Sequence, residues 1–291
     1  MRPVHALSAL AVMFLWGVNF AVTKIGLQQL PPLTFMTLRV AMVAALLVPF
    51  VRMPAGRMKE IAALSFTFGF AHFAFMFTGL KFVDAAVASV AIQIQVPFAA
   101  ILAALFFGDK LGWRRLTGMS IAILGVAILA GEPRAGSEIW AIGLIVVAAL
   151  LWAVANIQMK RLSDVSGFAL NAWIALLALP QLVLGSFLLE SGQVEAVLAA
   201  DWRAWAAVAY HAVIVVILCY GVWYWLLSRY QVNQTMPWTL LVPLFGIASG
   251  VMFLGEPFTW NLAVGSLGTI IGVAIILIRR PTTVDTKARG G

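Results

Sequence analysis

Ten long apolar runs constrain the fold of this sequence more than any other feature. A helix needs about 20 consecutive apolar residues to cross the hydrocarbon core of a bilayer. Hydrophobic residues make up 63% of the 291 residues and charged residues 10%, whereas a soluble domain carries about 45–50% apolar and about 25% charged residues. The sequence therefore predicts an all-α, multi-pass membrane protein surrounded by lipid. It argues against an ordinary soluble enzyme, a disordered chain and a nucleic-acid binder.

The predicted spans fill most of the chain and leave only short connections between them. Turn-forming residues and charges fall in these connections, as in Pro31-Pro32 and Gly131-Glu132-Pro133. We place the spans at residues 4–24, 33–51, 60–80, 85–107, 115–131, 138–158, 168–189, 205–227, 234–254 and 260–278.

The distribution of basic residues predicts the orientation, because cytoplasmic loops carry an excess of Lys and Arg. With the amino terminus in the cytoplasm, fourteen basic residues lie on the cytoplasmic side and four lie outside, namely Lys24, Lys81, Arg134 and Arg203. Ten spans then place both termini in the cytoplasm. The net charge of +8 is explained by this bias, so it does not indicate a nucleic-acid partner.

The two halves of the chain resemble each other. Five positions recur in order at one spacing of 147 residues, which is stronger evidence than any single glycine match. They pair Gly108 with Gly255, Asp109 with Glu256, Trp113 with Trp260, Gly118 with Gly265 and Gly125 with Gly272. Further pairs are Trp16 with Trp152, Asn19 with Asn156 and Pro97 with Pro243. Five helices is an odd number, so the second repeat must be inverted relative to the first. Inverted repeats are typical of transporters with a site near the midplane.

These motifs carry a family resemblance that spans nearly the whole chain. Residues 85–131, with Val96-Pro97, Gly108-Asp109, Gly118 and Gly125, resemble an EamA domain. Residues 234–278 resemble a second one. The chain is thus similar to the ten-helix drug/metabolite transporter superfamily, and its aromatic-rich spans resemble the aromatic amino-acid exporter branch. It departs from the family at Asp109, where Glu is usual.

The resemblance implies one repeat at residues 1–133, an inverted repeat at 134–280 and a flexible cytoplasmic tail at 281–291. It also implies export across a bacterial inner membrane by alternating access. The substrates would be amino acids, including aromatic ones, and similar small metabolites. We expect no cofactor or metal, and either a monomer or a homodimer. The sequence contains neither a phosphate-binding Gly-x-x-x-x-Gly-Lys loop nor a His-Glu-x-x-His metal motif.

Three ionisable side chains lie deep within the predicted spans, where charge is expensive. Arg39 is a candidate anion contact, for example for a substrate carboxylate. The alternative is a structural arginine near the interface, which either extends toward water or donates to backbone carbonyls. His72 and His211 could titrate during proton coupling, or they could be hydrogen-bonded structural residues.

Uncharged polar and aromatic residues are the better candidates for a substrate site. A buried amide requires a partner, so Asn19, Asn156 and Gln95 should face the interior, where they could bind an amino-acid backbone. The alternative is bonding between helices, which we favour for Gln158 because it lies near a cytoplasmic end. Trp16 and Trp152 lie too deep to be simple interfacial anchors. The predicted central cavity is lined by Trp16, Asn19, His72, Gln95, Trp152, Asn156, Tyr210, Tyr220 and Trp238.

Backbone features within the spans suggest how such a cavity could open. Pro97 and Pro243 each remove a helix hydrogen bond, so they are predicted hinges or static kinks. The paired glycines of the fifth and tenth spans predict a close-packed face, either between the repeats or between subunits. The chain could alternatively be a proton-coupled drug or metabolite antiporter, a nucleotide-sugar or organic-phosphate exchanger, a channel or a membrane enzyme. Charged phosphates should need more buried cations than Arg39, and no catalytic constellation is evident.

Overall fold

The computed structural model describes residues 1–107, 112–131, 139–230 and 232–277. Within these ranges every regular element is helical, and ten helices are long and apolar enough to cross a membrane. The ten predicted spans are therefore confirmed. In chain order, helices 1 to 10 are Pro3–Leu27, Pro32–Phe50, Ala55–Phe82, Ala85–Phe106, Trp113–Ala130, Ile139–Arg161, Gly167–Leu189, Trp202–Arg229, Met236–Leu254 and Trp260–Leu277.

The predicted boundaries agree with these helices to within a few residues. The largest difference is at helix 3, which begins at Ala55 because a short 3-10 turn precedes its α-helical part. A surface helix, Gln193–Ala199, lies between helices 7 and 8 and was not predicted. The Gly108-Asp109 motif, the predicted repeat boundary near residue 133 and the predicted tail at 281–291 lie outside the described residues.

Polar contacts between helix ends show which ends of the helices lie together. At the end that holds the start of helix 1, which we call the amino-terminal end, Arg57 pairs with Asp164 at 3.0 Å. This guanidinium holds the pKa of the Asp164 carboxyl below its usual value, although an exposed pair contributes little stability. At the opposite end, the far end, Lys24 of helix 1 donates to the backbone carbonyls of Leu80 and Val83. Successive helices therefore cross the bundle in alternating directions.

Two carboxylates of the second half bind helix N-termini of the first half at the far end. Glu190, directly after helix 7, accepts hydrogen bonds from the backbone amides of Leu33 and Thr34 in helix 2 at 2.6 and 3.0 Å. Glu256, after helix 9, accepts from the first two amides of helix 4 at 2.6 and 2.9 Å. Each carboxylate satisfies amides that have no partner within their helix and complements the helix dipole. The far end is thereby joined across the two halves.

The helices of the two halves make equivalent packing contacts. Helix 1 packs against helices 8 and 9, and helix 6 packs against helices 3 and 4. Helix 2 packs against helix 7, helix 4 against helix 9, and helix 5 against helix 10. The same set of contacts results when the numbers of helices 1 to 5 are exchanged with those of helices 6 to 10, so that helix 1 becomes helix 6 and helix 8 becomes helix 3. The start of helix 6 lies at the far end, where Trp140 contacts Phe82 with ring centroids 4.9 Å apart, so helices 1 and 6 run in opposite directions.

The two predicted prolines interrupt their helices in the same way. Pro97 is the third residue of the α-helical segment Gln95–Phe107, directly after the 3-10 segment Ile92–Ile94. Pro243 is the third residue of Leu241–Leu254, directly after the 3-10 segment Met236–Leu240. A proline removes one backbone donor, which explains why the regular α-helix is broken just before it.

Packing is tight at the far end and looser toward the amino-terminal end. Along helix 4, residues 85–94 are all buried, whereas Pro97 alone is buried among residues 95–106. Helix 9 runs toward the far end. Its residues 236–242 are all partly exposed, and its buried residues Gly246, Ser249 and Gly250 come later, nearer the far end. The bundle is therefore more accessible from the amino-terminal end.

Helices 5 and 10 approach each other through their glycines. A Cβ atom placed on Gly118 would lie 2.7 Å from the backbone oxygen of Gly272, and one on Gly125 would lie 2.6 Å from the oxygen of Gly265. Such distances leave no room for a side chain. The predicted close-packed face is thus a contact between the halves of one chain.

We expect Gly125→Ala to destabilise the protein, because its methyl group would lie 2.5 Å from the Thr269 hydroxyl and within 2.6 Å of backbone atoms. Overpacking of this kind costs about 1–3 kcal/mol of unfolding free energy. Gly143→Ala is the matched control, since nothing lies within 4 Å of its Cβ position. The apparent Tm in detergent should fall for Gly125→Ala and stay level or rise for Gly143→Ala; equal behaviour would contradict the packing argument.

Candidate functional site

Helices 1, 8 and 9 bring three predicted aromatic site residues, together with Trp223, into one neighbourhood. The Trp16 ring of helix 1 meets Tyr220 and Trp223 of helix 8 edge-on, with both centroid distances 5.6 Å. Trp238 of helix 9 packs against the same apolar cluster as Trp16. Trp16, Tyr220 and Trp238 are only partly buried. Sequence reasoning had named these three for the site, and the structure places them close together.

A second aromatic group lies between helices 3 and 6. The Trp152 ring of helix 6 contacts His72 at a centroid distance of 5.0 Å and Phe68 at 4.9 Å. His72 is also stacked on Phe68 at 5.4 Å. The repeat-related Trp16 and Trp152 therefore each meet the third helix of the opposite half.

A row of rings extends from the second group to His211 of helix 8. His72 contacts Phe73 at 4.7 Å, Phe73 contacts Phe77 at 5.7 Å, and Phe77 contacts His211 of helix 8 at 5.4 Å. The Arg39 guanidinium carbon of helix 2 lies 4.3 Å from the centre of the Phe73 ring. The row thus links helices 3 and 8 in the middle of the bundle, beside helix 2.

Both histidines lie on π-helical segments, Ser65–His72 in helix 3 and Tyr210–Cys219 in helix 8. Adding the repeat spacing of 147 to the first segment gives residues 212–219, which fall within the second. π-helical turns are rare and are frequent at functional sites. The two irregular segments therefore single out the third helix of each half.

Hydrogen bonds fix the tautomer of each histidine. His72 Nδ1 lies 2.8 Å from the Ala148 carbonyl oxygen, which can only accept, so Nδ1 carries the proton. Thr23 donates its hydroxyl hydrogen to the Asn19 carbonyl and therefore accepts from His211 Nε2, at 2.6 Å. His211 Nδ1 is then an acceptor, and it has no partner among the described residues. Both rings thus have the hydrogen bonds expected if these histidines are structural residues.

Five of the candidate site residues each have a buried polar atom that finds no hydrogen-bond partner among the described residues. Buried polar atoms are nearly always paired in native structures, so a group of unpaired atoms indicates missing contacts to a ligand or water. These atoms are Trp16 Nε1, Asn19 Oδ1, Arg39 Nε, Gln95 Oε1 and His211 Nδ1. They come from helices 1, 2, 4 and 8. The other unpaired buried atoms of the described residues are Gln158 Oε1, Gln181 Oε1 and Ser266 Oγ, on helices 6, 7 and 10.

Other predicted residues are placed differently. Tyr210 donates its hydroxyl to the Leu15 carbonyl at 2.7 Å, which ties helix 8 to helix 1. Asn156 is exposed rather than buried in the interior. Gln158 donates to the Thr67 hydroxyl at 3.2 Å, as the interhelical interpretation of this residue predicts.

The predicted site did not include three aromatic contributors: Phe68, Phe73 and Trp223. Trp223 follows Tyr220 by three residues, and such spacing places two side chains on one helical face, so this neighbour had a detectable signal. Phe68 and Phe73 lie within or beside a π-helical segment. There the ordinary helical periodicity no longer predicts which side chains share a face.

The structure has ten membrane-spanning helices around a partly accessible aromatic centre that contains unpaired polar atoms. This is the arrangement of a multi-pass membrane transporter. The chain belongs to the EamA-like transporter family, whose model matches residues 4–131 and 139–278. This match confirms the resemblance that the sequence motifs indicated.

Relatives and a solved structure agree with this family. The chain is 34% identical to a probable amino-acid metabolite efflux pump of Salmonella typhimurium, covering 95% of this chain and 97% of the relative. It is 32% identical to a protein of the same description in Escherichia coli, covering 92% of each. A crystal structure of a protein with 17% identity superposes with a TM-score of 0.63 over 94% of this chain and 96% of the other; this last likeness concerns the fold alone.

Proposed function

We propose that this protein exports amino acids and similar small metabolites across the bacterial inner membrane. The two relatives above are named probable amino-acid metabolite efflux pumps. A third, 27% identical and from Streptantibioticus cattleyicolor, is named a probable terminal-alkyne amino-acid exporter. The observation that carries the proposal is the set of unpaired buried polar atoms beside partly exposed tryptophans, since an amino acid offers both polar groups and a side chain.

The substrate cavity would lie between the halves. Trp16, Tyr220 and Trp238 would contact the substrate side chain from helices 1, 8 and 9. Trp152 would do so from helix 6. The amides of Asn19 and Gln95, each with an unpaired buried oxygen, would accept hydrogen bonds from the ammonium group. Aromatic walls accept side chains of different size without a specific polar partner. This favours a broad range of substrates that includes aromatic amino acids. His72 and Tyr210 support this cavity through their backbone contacts, and Asn156 would lie toward its open end.

Alternating access would arise from two inverted repeats, residues 1–133 and 134–280. The exchangeable packing pattern supports such a relation, because each half could adopt the arrangement of the other. Pro97 and Pro243 would absorb the bending, each next to a 3-10 segment. With the termini in the cytoplasm, as the charge bias predicts, the looser end faces inward and the carboxylate-bound end faces outward. The described conformation would therefore be the inward-facing one.

Transport of labelled amino acids into liposomes that contain the purified protein tests the function. We expect saturable uptake without an imposed pH gradient, because the carboxylates of the described residues lie near helix ends and both histidines have structural hydrogen bonds. Uptake that requires the gradient would instead make His72 and His211 the leading proton sites. The absence of amino-acid uptake by folded protein would contradict the substrate assignment.

Trp152→Ala should lower this uptake by tenfold or more, because it removes a wall of the cavity. Tenfold corresponds to about 1.4 kcal/mol. Trp152→Phe retains a ring and should retain more activity than Trp152→Ala. Trp202→Ala is the matched control, since Trp202 is 73% exposed at the start of helix 8. Size-exclusion profiles and apparent Tm values would establish that each variant is folded. A folded Trp152→Ala protein with full activity would count against this cavity.

Glu256→Gln should open the outward end more often, because a neutral amide binds the two helix 4 amides less well than a carboxylate does. In a Cys219→Ala background, Val87→Cys provides the probe, as Val87 is 4% exposed in the buried part of helix 4. Labelling of intact cells with an impermeant maleimide should become several-fold faster when Glu256→Gln is added.

Glu195→Cys, on the exposed surface helix Gln193–Ala199, tests the predicted orientation. In intact cells that express this variant, the impermeant maleimide should label the new cysteine at once. An unreactive Glu195→Cys would overturn the assignment of the far end to the outside. A labelling rate of Val87→Cys that ignores the Glu256 substitution would show that this carboxylate does not hold the end closed.

A further inference from the structure

Arg39 lies in the interior of the bundle rather than at its surface. It is the eighth residue of helix 2, about 10 Å along the axis from the first residue. Its relative exposure is 5%. An arginine that extends to the interface would keep its charged head in water, which such burial does not allow. The interfacial interpretation of Arg39 therefore does not describe the structure.

The contacts of this guanidinium are weak for a buried cation. Nη1 donates to the thioether sulfur of Met36 at 3.5 Å, and sulfur is a weak acceptor. The guanidinium also lies over the Phe73 ring. Nε has no partner among the described residues, and none of the ion pairs found among them involves Arg39. Buried charges are normally paired and hydrogen-bonded, so Arg39 lacks an anion within the described part of the chain.

The neighbouring side chains do not supply that anion. Arg39 interacts electrostatically with His72, His211 and Tyr220. Both histidines are hydrogen-bonded in arrangements that fit neutral rings, and the tyrosine is a phenol. The described carboxylates lie at the helix ends or in connections. The surroundings of Arg39 within the described chain are therefore aromatic and uncharged.

We propose that Arg39 binds the carboxylate of the transported molecule. A guanidinium presents parallel donors that match the two oxygens of a carboxylate. The site lies among Phe73, the two histidines and Tyr220, so the substrate side chain would extend along the aromatic groups on helices 1, 6 and 8. This assignment rests on the proposed function and narrows it: the carboxylate is required, and amino-acid amides and amines are excluded.

Replacing the arginine by an apolar residue of similar length separates this role from a structural one. We expect Arg39→Met to raise the apparent Tm of the substrate-free protein by a few degrees, because it removes a buried charge that has no anion. The same variant should lose uptake of a radiolabelled amino-acid mixture by tenfold or more. Arg203→Met is the control, since Arg203 is exposed beside Trp202 and should change neither quantity.

Competition identifies the group that Arg39 binds. In the wild type, unlabelled L-phenylalanine and L-serine should compete with the labelled mixture at least tenfold better than their α-amides. Arg39→Lys, which retains the charge without the planar fork, should recover part of the uptake lost in Arg39→Met. Equal competition by acids and amides would overturn the proposal, as would a destabilised Arg39→Met or a folded one with full uptake.

The stability measurement needs no substrate. It therefore distinguishes a failure of the proposed amino-acid transport from a failure of the Arg39 assignment. Wild-type protein that takes up no amino acid, combined with a stabilised Arg39→Met, would refute the proposed function and leave a vacant anion site. Wild-type stability that follows chloride concentration and ignores added amino acids would identify an inorganic anion as the partner, and this also would overturn the proposal.

Discussion

The absence of water in the bilayer core is the constraint on which this structure depends. Each polar group within the membrane needs a partner inside the protein, and the far end meets this requirement with Glu190 and Glu256 on the amides of helices 2 and 4. The centre does not meet it. Arg39, Asn19 and Gln95 have polar atoms without a partner among the described residues, and this contrast with the far end supports the proposed position of the site.

The same contrast relates the fold to transport. The end contacts bind residues of one half to helices of the other, so under the proposed alternating access these hydrogen bonds would break when the far end opens. The contact between helices 5 and 10 is of a different kind, because glycines bring the two backbones together with no room for side chains. A rigid contact of this type can hold the halves together while helices 4 and 9, each with a proline after a 3-10 segment, change their bend.

Much of the fold could be predicted from the sequence because membrane spans depend on a strong one-dimensional signal. Apolar length gave the ten helices, and the repeated glycines gave the close contact of helices 5 and 10. The repeat also paired Trp16 with Trp152, which the structure places against opposite halves. Other features depend on three-dimensional geometry. The sequence does not predict the roles of the Glu190 and Glu256 carboxylates, because the helices that they bind are distant in the sequence.

The details of the site were less predictable for a similar reason. π-helical segments change the register of side chains, so Phe68 and Phe73 had no periodic signal for the ring contacts that they make. Asn156 matched Asn19 in the repeat, yet it is exposed, so the match between the halves did not predict its burial. Arg39 was recognised as buried charge, but its position over Phe73 could only come from the packing of helix 2 against helix 3.

Counterflow is a direct test of whether a site between two exchanging halves carries the substrate. Liposomes containing the protein would be loaded with an unlabelled amino-acid mixture and diluted into a trace of the labelled one. We expect a transient accumulation of label above its equilibrium level, because a carrier returns faster with substrate bound than empty. Labelled uptake that only approaches equilibrium and is not accelerated by internal substrate would indicate a channel and contradict alternating access.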